Sequence, residues 1–364
     1  MSKKDPSRIE PILKAISKLA RRPVVLMEVC GTHTVSIFRH GIRSLLPSSI
    51  KLLSGPGCPV CVTAQGDIDA ALSLSRMKDT IIATYGDMLR VPGTSTSLME
   101  ERSAGRDIRI VTSSSQCLDI ARQNPGREVI FFAVGFETTA PATASMIVEA
   151  ADLALDNLSV INFHKRTPPV LDTLAREPDL QIDGFILPGH VSVILGHGPY
   201  SFLAHKYGKA SCIAGFEGED ILLAIADLCL QIEGNQPRIS SVYPRAVRPE
   251  GNATALELME KVFRPGDAIW RGIGSIPDSG LVLRDKYSLF DAAVKWELKI
   301  PEVAPPEGCR CGEVLSGKIE PLDCPLFGTA CTPLKPVGPC MVSSEGTCAA
   351  YFRFARGGKP EWKK

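Results

Sequence analysis

The stretch VVLMEVCGTHTVSIFRHGIRSLLP, residues 24–47, holds one structural unit from end to end. Its opening run, VVLMEV (24–29), is short and nearly continuous in apolarity. That pattern suits a strand buried on both faces of a parallel sheet. A polar turn follows, Cys30-Gly31-Thr32-His33-Thr34. Beyond it Val35, Phe38, Ile42, Leu45 and Leu46 recur at steps of mostly three to four residues, which predicts an amphipathic helix ended by Pro47. Strand, turn and helix in that order are the repeating element of an α/β fold.

The same rhythm continues to about residue 233. Further apolar runs are IKLLS (50–54), IIATYG (81–86), IRIVT (108–112), VIFFAVG (129–135), SVINF (159–163), GFILPG (184–189) and SCIAGF (211–216), which makes eight expected strands. Polar turn residues cluster at ARQNPGRE (121–128) and again at EGNQPRISSVYPRAVRPEGN (233–252). The expectation is two parallel-sheet α/β domains, 1–125 and 126–245, followed by a C-terminal segment, 246–364.

The chain has 364 residues, enough for two or three domains, and 44% hydrophobic residues, enough for normal cores. A formal net charge of +1 gives no support to nucleic-acid binding or a polybasic membrane contact. The start, MSKKDPSRIEPILKAISKLARRP, reads as an amphipathic helix with charges of both signs and lacks the apolar core of a signal peptide. No run approaches the roughly 18 apolar residues of a membrane span. A soluble, cytoplasmic protein is expected.

In an open parallel sheet, ligands bind beyond the carboxyl ends of the strands. Here those ends carry Cys30 and His33, then Cys58 and Cys61, Asp87, Glu137, His164, His190 and Glu217. Chance would scatter such groups over both ends. Bland readings stand beside the chemical ones. Cys30 could be a small buried apolar residue. Asp87 and Glu137 could cap helices, and His164 could be a capping or surface imidazole. GPGCPVC (55–61) is the stronger signal. A C-x-x-C between strand and helix is where a low-pKa dithiol sits, because the helix N-terminus stabilises a thiolate. A zinc half-site is the rival, but no partner C-x-x-C exists. A structural disulfide is disfavoured in a reducing compartment.

Six of the twelve cysteines, 309 to 348, fall in a segment rich in Pro and Gly. Such a segment has little core of its own and needs a staple. Zinc knuckles are absent. The long, uneven spacings favour an iron–sulfur cluster over zinc. No phosphate-binding G-x-x-x-x-G-K-[ST], dinucleotide G-x-G-x-x-G or radical-type C-x-x-x-C-x-x-C occurs.

EVCGTHT, GPGCPVC, YGDMLRVPG, GFETTAPATA, PGHVS and CGEVLSG…DCPLFGTAC…VSSEGTCAAYF, in that order over essentially the whole chain, resemble the HypD family of [NiFe]-hydrogenase maturation proteins. The resemblance implies two α/β domains around a cleft plus a [4Fe–4S] segment. It implies a redox-active assembly scaffold rather than a conventional turnover enzyme. With a small partner, HypC, that scaffold holds an iron that receives two cyanides and one carbon monoxide. Cyanide arrives through HypE, which works with HypF, and the finished Fe(CN)2CO unit passes to the hydrogenase large subunit. By motif, Cys30 would bind iron, with His33 close by. Cys58 and Cys61 would ligate iron or relay electrons as a dithiol/disulfide couple. Cys311, Cys324, Cys331 and Cys348 would hold the cluster, leaving Cys309 and Cys340 outside the pattern. Asp87, Glu137, His190 and Glu345 match family motifs as further site residues. Two other classes compete: a cytosolic thiol–disulfide oxidoreductase using Cys58 and Cys61, and a zinc-stapled binding module.

Overall fold

The computed structural model describes residues 6–355. Residues 1–5 of the expected amino-terminal helix lie outside the described residues, and α1 spans Pro6–Leu19. All eight expected strands are present: β1 (Val24–Glu28), β2 (Ile50–Ser54), β3 (Thr80–Thr84), β4 (Ile108–Ile110), β5 (Glu128–Gly135), β6 (Leu158–His164), β7 (Gly184–Pro188) and β8 (Ala210–Ala214). Three further strands were not expected: β9 (Ile239–Ser241), β10 (Phe263–Trp270) and β11 (Gly274–Leu283).

Two parallel sheets result. One has five strands in the order β2-β1-β7-β8-β9, the other four in the order β4-β3-β5-β6. The chain starts the five-stranded sheet, crosses to build the four-stranded one, and returns. The expected seam at 121–128 therefore falls inside one sheet, where β3 and β5 pair with Thr80 opposite Glu128. The eight strand ends accordingly serve two sheets, not one edge. The crossing from β2 to β3 is the segment that carries GPGCPVC. The expected break at 233–252 contains β9, which pairs with β8.

The helix expected after Cys30 is two helices, α2 (Gly31–Arg39) and α3 (Ile42–Leu45). Gly41 divides them at φ +62°, a left-handed conformation that glycine adopts without a Cβ penalty. After β2 come the short α4 (Pro59–Val62) and then α5 (Gln65–Ser75).

The β10–β11 hairpin is antiparallel and buries Phe263, Leu281 and Leu283 with Val129 and Phe131 of β5. Its turn end is anchored elsewhere: Trp270 is fully buried, stacks on Phe136 at 5.9 Å and bridges to Thr63. The C-terminal segment consists of short helices and turns. As its composition implies, it shares a core rather than making one. Cys311, Val314, Leu315, Cys331, Cys340, Met341 and Cys348 pack in one cluster with Met27, Leu53, Cys58, Cys61, Phe185 and Leu187. Among the described residues no helix is long and apolar enough to cross a membrane.

Candidate functional site

In the five-stranded sheet the strand order reverses between β1 and β7. Such a switch point opens a crevice at the carboxyl ends of the strands. Cys30 caps α2 there, directly after β1, and His190 follows β7. The Cys30 backbone N–H donates to Glu28 Oε2 at 3.1 Å, and Thr34 Oγ1 donates to Glu28 Oε1. Glu28 is fully buried, and burial lifts its carboxyl to about 7. Burial, with the Glu345 carboxylate next, pushes the Cys30 thiol up to about 12. Without a cation, Cys30 is a neutral thiol. A bound metal would displace its proton.

His33 is also fully buried, and burial lowers it to about 4. Its Nε2 lies 2.9 Å from the Gly215 carbonyl, which only accepts, so the proton sits on Nε2. Nδ1 is left with its lone pair and no hydrogen-bond partner among the described residues. Phe216 lies between two imidazoles, His33 at 4.8 Å and His190 at 3.9 Å between ring centroids. Of the two, His190 is the exposed one.

The C-x-x-C pair is disulfide-bonded, with the Cα atoms 5.2 Å apart. Of the forms left open for this pair, iron ligands or a dithiol/disulfide couple, the structure holds the disulfide. The reason is local. Cys58 is the N-cap of α4 and Cys61 its third residue, so one tight turn brings both sulfurs together. Both are buried. Backbone contact locks the pair against Cys30. Gly31 N–H donates to Gly57 O at 3.1 Å, and a Cβ on Gly57 would overlap the Cys30 backbone. Opposite, the C-terminal segment closes over both loops. Thr32 Oγ1 donates to Glu345 Oε1 at 2.7 Å, and Cys61 Sγ lies 4.0 Å from Pro339 O. Cys30, His33, Cys58, Cys61, His190 and Glu345 are thus brought to one crevice.

Asp87 and Glu137 are placed differently. Asp87 is half-buried and pairs with Arg90 at 3.9 Å, while Arg90 donates to Val342 O at 3.0 Å. Glu137 is buried and accepts from Thr167 N and Oγ1 at 2.7 and 2.8 Å, holding the start of the helix Thr167–Arg176. His164 is buried between Asn162 Oδ1 and Thr139 Oγ1, 2.5 and 3.1 Å away. All three lie around the four-stranded sheet, away from the Cys30 crevice.

The six C-terminal cysteines, 309, 311, 324, 331, 340 and 348, line one cavity with Val314, Leu326, Phe327 and Met341. Cys311 and Cys340 are 3.2 Å apart between sulfurs. Hydrogen bonds from the Cys309 and Cys340 thiols hold Cys311 well below the usual thiol range, and Cys340 is pushed correspondingly up. No three Cys, His, Asp or Glu side chains among the described residues converge as a single-ion site. Instead the sulfurs surround a space. A ring of thiols in an apolar lining is the donor set that fits an iron–sulfur cluster. The remaining cysteines, Cys117, Cys212 and Cys229, are buried small residues of helix or strand.

Two contributors escaped the sequence. Glu28 carried a signal, a charge inside an otherwise apolar strand. Arg271 carried none. It is buried, and it binds Thr63 O and Gln65 Oε1 just beyond α4.

Fold and site together define a cysteine-rich α/β protein with a buried thiol crevice next to a multi-thiol cavity. The HypD family model, described as the hydrogenase formation hypA family, matches residues 7–355. The hydrogenase maturation factor HypD2 of Bradyrhizobium diazoefficiens is 44% identical over 344 residues, 92% of this chain and 90% of that one. The hydrogenase maturation factor HypD of Rhodobacter capsulatus is 42% identical over 363 residues, 96% of each chain. That of Cupriavidus necator is 43% identical over 339 residues, 91% of this chain and 89% of its own. The chain belongs to the HypD family of hydrogenase maturation factors.

Proposed function

We propose that the chain is the scaffold on which the iron of a [NiFe]-hydrogenase acquires its two cyanides and its carbon monoxide. It acts in complex with HypC, receives cyanide by way of HypE, and hands the product on toward the hydrogenase large subunit. One observation carries this reading: the Cys58–Cys61 pair shares one core cluster with Cys311, Cys331, Cys340 and Cys348 of the cavity, and the loop before the pair packs through Gly57 on the Cys30 backbone.

Iron is the cargo here. Cys30 offers a soft thiolate once iron displaces its proton, which suits iron carrying strong-field ligands. The lone pair on His33 Nδ1 is available to receive a proton within the same crevice. Glu345, bonded to Thr32, ties the C-terminal segment to the turn that carries Cys30. Freeing cyanide from a thiocyanate requires two electrons for each ligand. Opening the Cys58–Cys61 disulfide takes up two electrons and two protons, and closing it returns them. Cys311, Cys324, Cys331 and Cys348 would hold a [4Fe–4S] cluster, with Cys309 and Cys340 lining the same cavity. When bound, such a cluster supplies single electrons. Burial of both Cys58 and Cys61 counts against the rival reading, an oxidoreductase that attacks protein disulfides, because that activity needs an exposed attacking sulfur.

The test is infrared spectroscopy of the chain purified without oxygen together with its small partner. Cyanide and carbonyl stretches are expected in the wild type and absent after Cys30→Ala. Bands that persist undiminished in Cys30→Ala, or no bands in either protein, refute the assignment.

A further inference from the structure

Arg271 is 3% exposed, and no anionic side chain among the described residues forms an ion pair with it. Its backbone N–H donates to Val62 O at 2.9 Å, Nε to Thr63 O at 2.7 Å and Nη1 to Gln65 Oε1 at 2.9 Å. It is therefore tied to the chain immediately after Cys61. Nη2 has no partner among the described residues. The next residue, Gly272, has φ +69° and packs against Gly312 so closely that a Cβ on either would overlap the other's backbone. Gly312 follows Cys311, a wall of the cysteine cavity. Arg271 thus stands at the joint between the disulfide helix and the cavity.

Other charges face the same region. Asp67 and Lys165 lie 3.6 Å apart, and the Asp67 carboxylate also attracts Arg271, so one carboxylate serves two buried cations and a positive charge is left over. Through the Gly272–Gly312 contact, Arg271 and Cys311 each stand one residue from the same backbone crossing. A buried, uncompensated cation is costly to keep. An anionic neighbour in the working protein would remove that cost. Four thiolates around an iron–sulfur cluster form such a neighbour, and one electron more makes it more negative.

We propose that Arg271 is the positioning residue that couples the two sulfur sites: anchored to the end of α4, its buried cation raises the reduction potential of the cluster held by the adjoining cavity. This rests on the cluster reading above. The electron comes from an external one-electron reductant, and no bond is made or broken. The effect is the ordinary one of local charge on cluster potential.

The full chain, loaded with iron and sulfide without oxygen, is titrated with dithionite in the presence of mediators while the visible and paramagnetic-resonance signals are followed. Iron and sulfide content is measured in every sample. Arg271→Met and Arg271→Gln are expected to bind the same iron and to titrate at a more negative potential. Arg271→Lys, which keeps the charge, is expected to stay near the wild type. The Gln variant preserves hydrogen-bonding capacity, so it serves if the Met variant does not fold. Unchanged potentials in a neutral variant overturn the proposal. So does a shift in the Lys variant as large as that in the neutral ones, since packing and not charge would then be responsible. Wild type that binds no iron and sulfide overturns the cluster reading itself and this proposal with it, an outcome the metal analysis separates from the others.

Discussion

In both parallel sheets the chain order reverses once, between β1 and β7 in the larger and between β3 and β5 in the smaller, yet the two crevices are filled differently. At the first, Cys30 and His33 are buried with reactive atoms left over: a thiol on Cys30 and a lone pair on His33 Nδ1. At the second, Glu137 and His164 have their polar atoms committed to Thr167, Thr139 and Asn162. Winding alone provides a crevice. Whether it becomes a site depends on which side chains keep unspent bonding capacity.

The joint between the two regions gives the largest expected effect. Asp67 stands at the start of α5, just past the disulfide, and Lys165 follows β6 of the smaller sheet. They pair at 3.6 Å, almost fully buried, and Lys165 Nζ also donates to Ile269 O at 2.8 Å. Burial pushes Asp67 up and Lys165 down, so desolvation outweighs their attraction. Lys165→Met would leave Asp67 without its partner and should cost about 3–5 kcal/mol in urea unfolding. Lys14, exposed and paired with Glu10 at 2.7 Å, is the control: Lys14→Met should change stability by less than about 0.5 kcal/mol. Equal effects would mean that the buried pair does not join the regions.

Next is Gly57→Ala. The added methyl meets the backbone of Cys30, which cannot rotate away, so the C-x-x-C loop must lift from the crevice. A loss of about 3 kcal/mol is expected. Gly126→Ala, beside the smaller sheet in open space, should be neutral. If Gly57→Ala is neutral too, the two thiol sites are not locked together as described.

Glu137→Ala distinguishes a structural carboxylate from a reactive one. Removing the acceptor of the buried Thr167 N–H should cost about 2 kcal/mol while the iron-ligand infrared bands persist. Bands lost from a folded Glu137→Ala protein would make the second crevice part of the chemistry.

What the sequence could show follows from the range over which its signals act. The eight strands were readable because each is a short apolar run, a local property. The hairpin was not, since FRPGDAIW and GSIPDSGLVL mix Pro, Gly and polar residues and bury only part of their length. Nor was the interleaving of the sheets. Whether β2 is followed by a neighbour or by a crossing is decided by packing between distant residues, and periodicity carries no trace of it. Among site residues, Cys30, Cys58, Cys61 and the six C-terminal cysteines stood out by type and spacing. Arg271 is one arginine among many until the fold places it beside Cys311.

The smallest effect concerns the imidazoles. His164 is buried and titrates near 3, against about 6.5 in the unfolded chain. Only the unfolded state takes up a proton between those values, so this residue's contribution to stability is full above pH 6.5 and shrinks as the pH falls through the window. The loss reaches at most about 1.4 kcal/mol per pH unit. His164→Gln can keep both neighbours and cannot titrate. The stability difference between wild type and variant, measured by urea unfolding at pH 7.5, 6 and 5, should therefore drift against the wild type as the pH is lowered. His33, lowered to about 4 for the same reason, should add a similar drift over a narrower range. Glu28 opposes both: its carboxyl is raised to about 7 from an ordinary 4.5, so its cost appears as the pH rises through that interval. Where the three windows overlap, two histidines act against one carboxylate, so the wild type keeps the net drift of a single imidazole; a variant lacking either histidine is flatter and one lacking Glu28 is steeper. A His164→Gln difference that does not change with pH would show that the second crevice does not hold a neutral, dry imidazole, and the contrast between the two crevices would lose its physical basis.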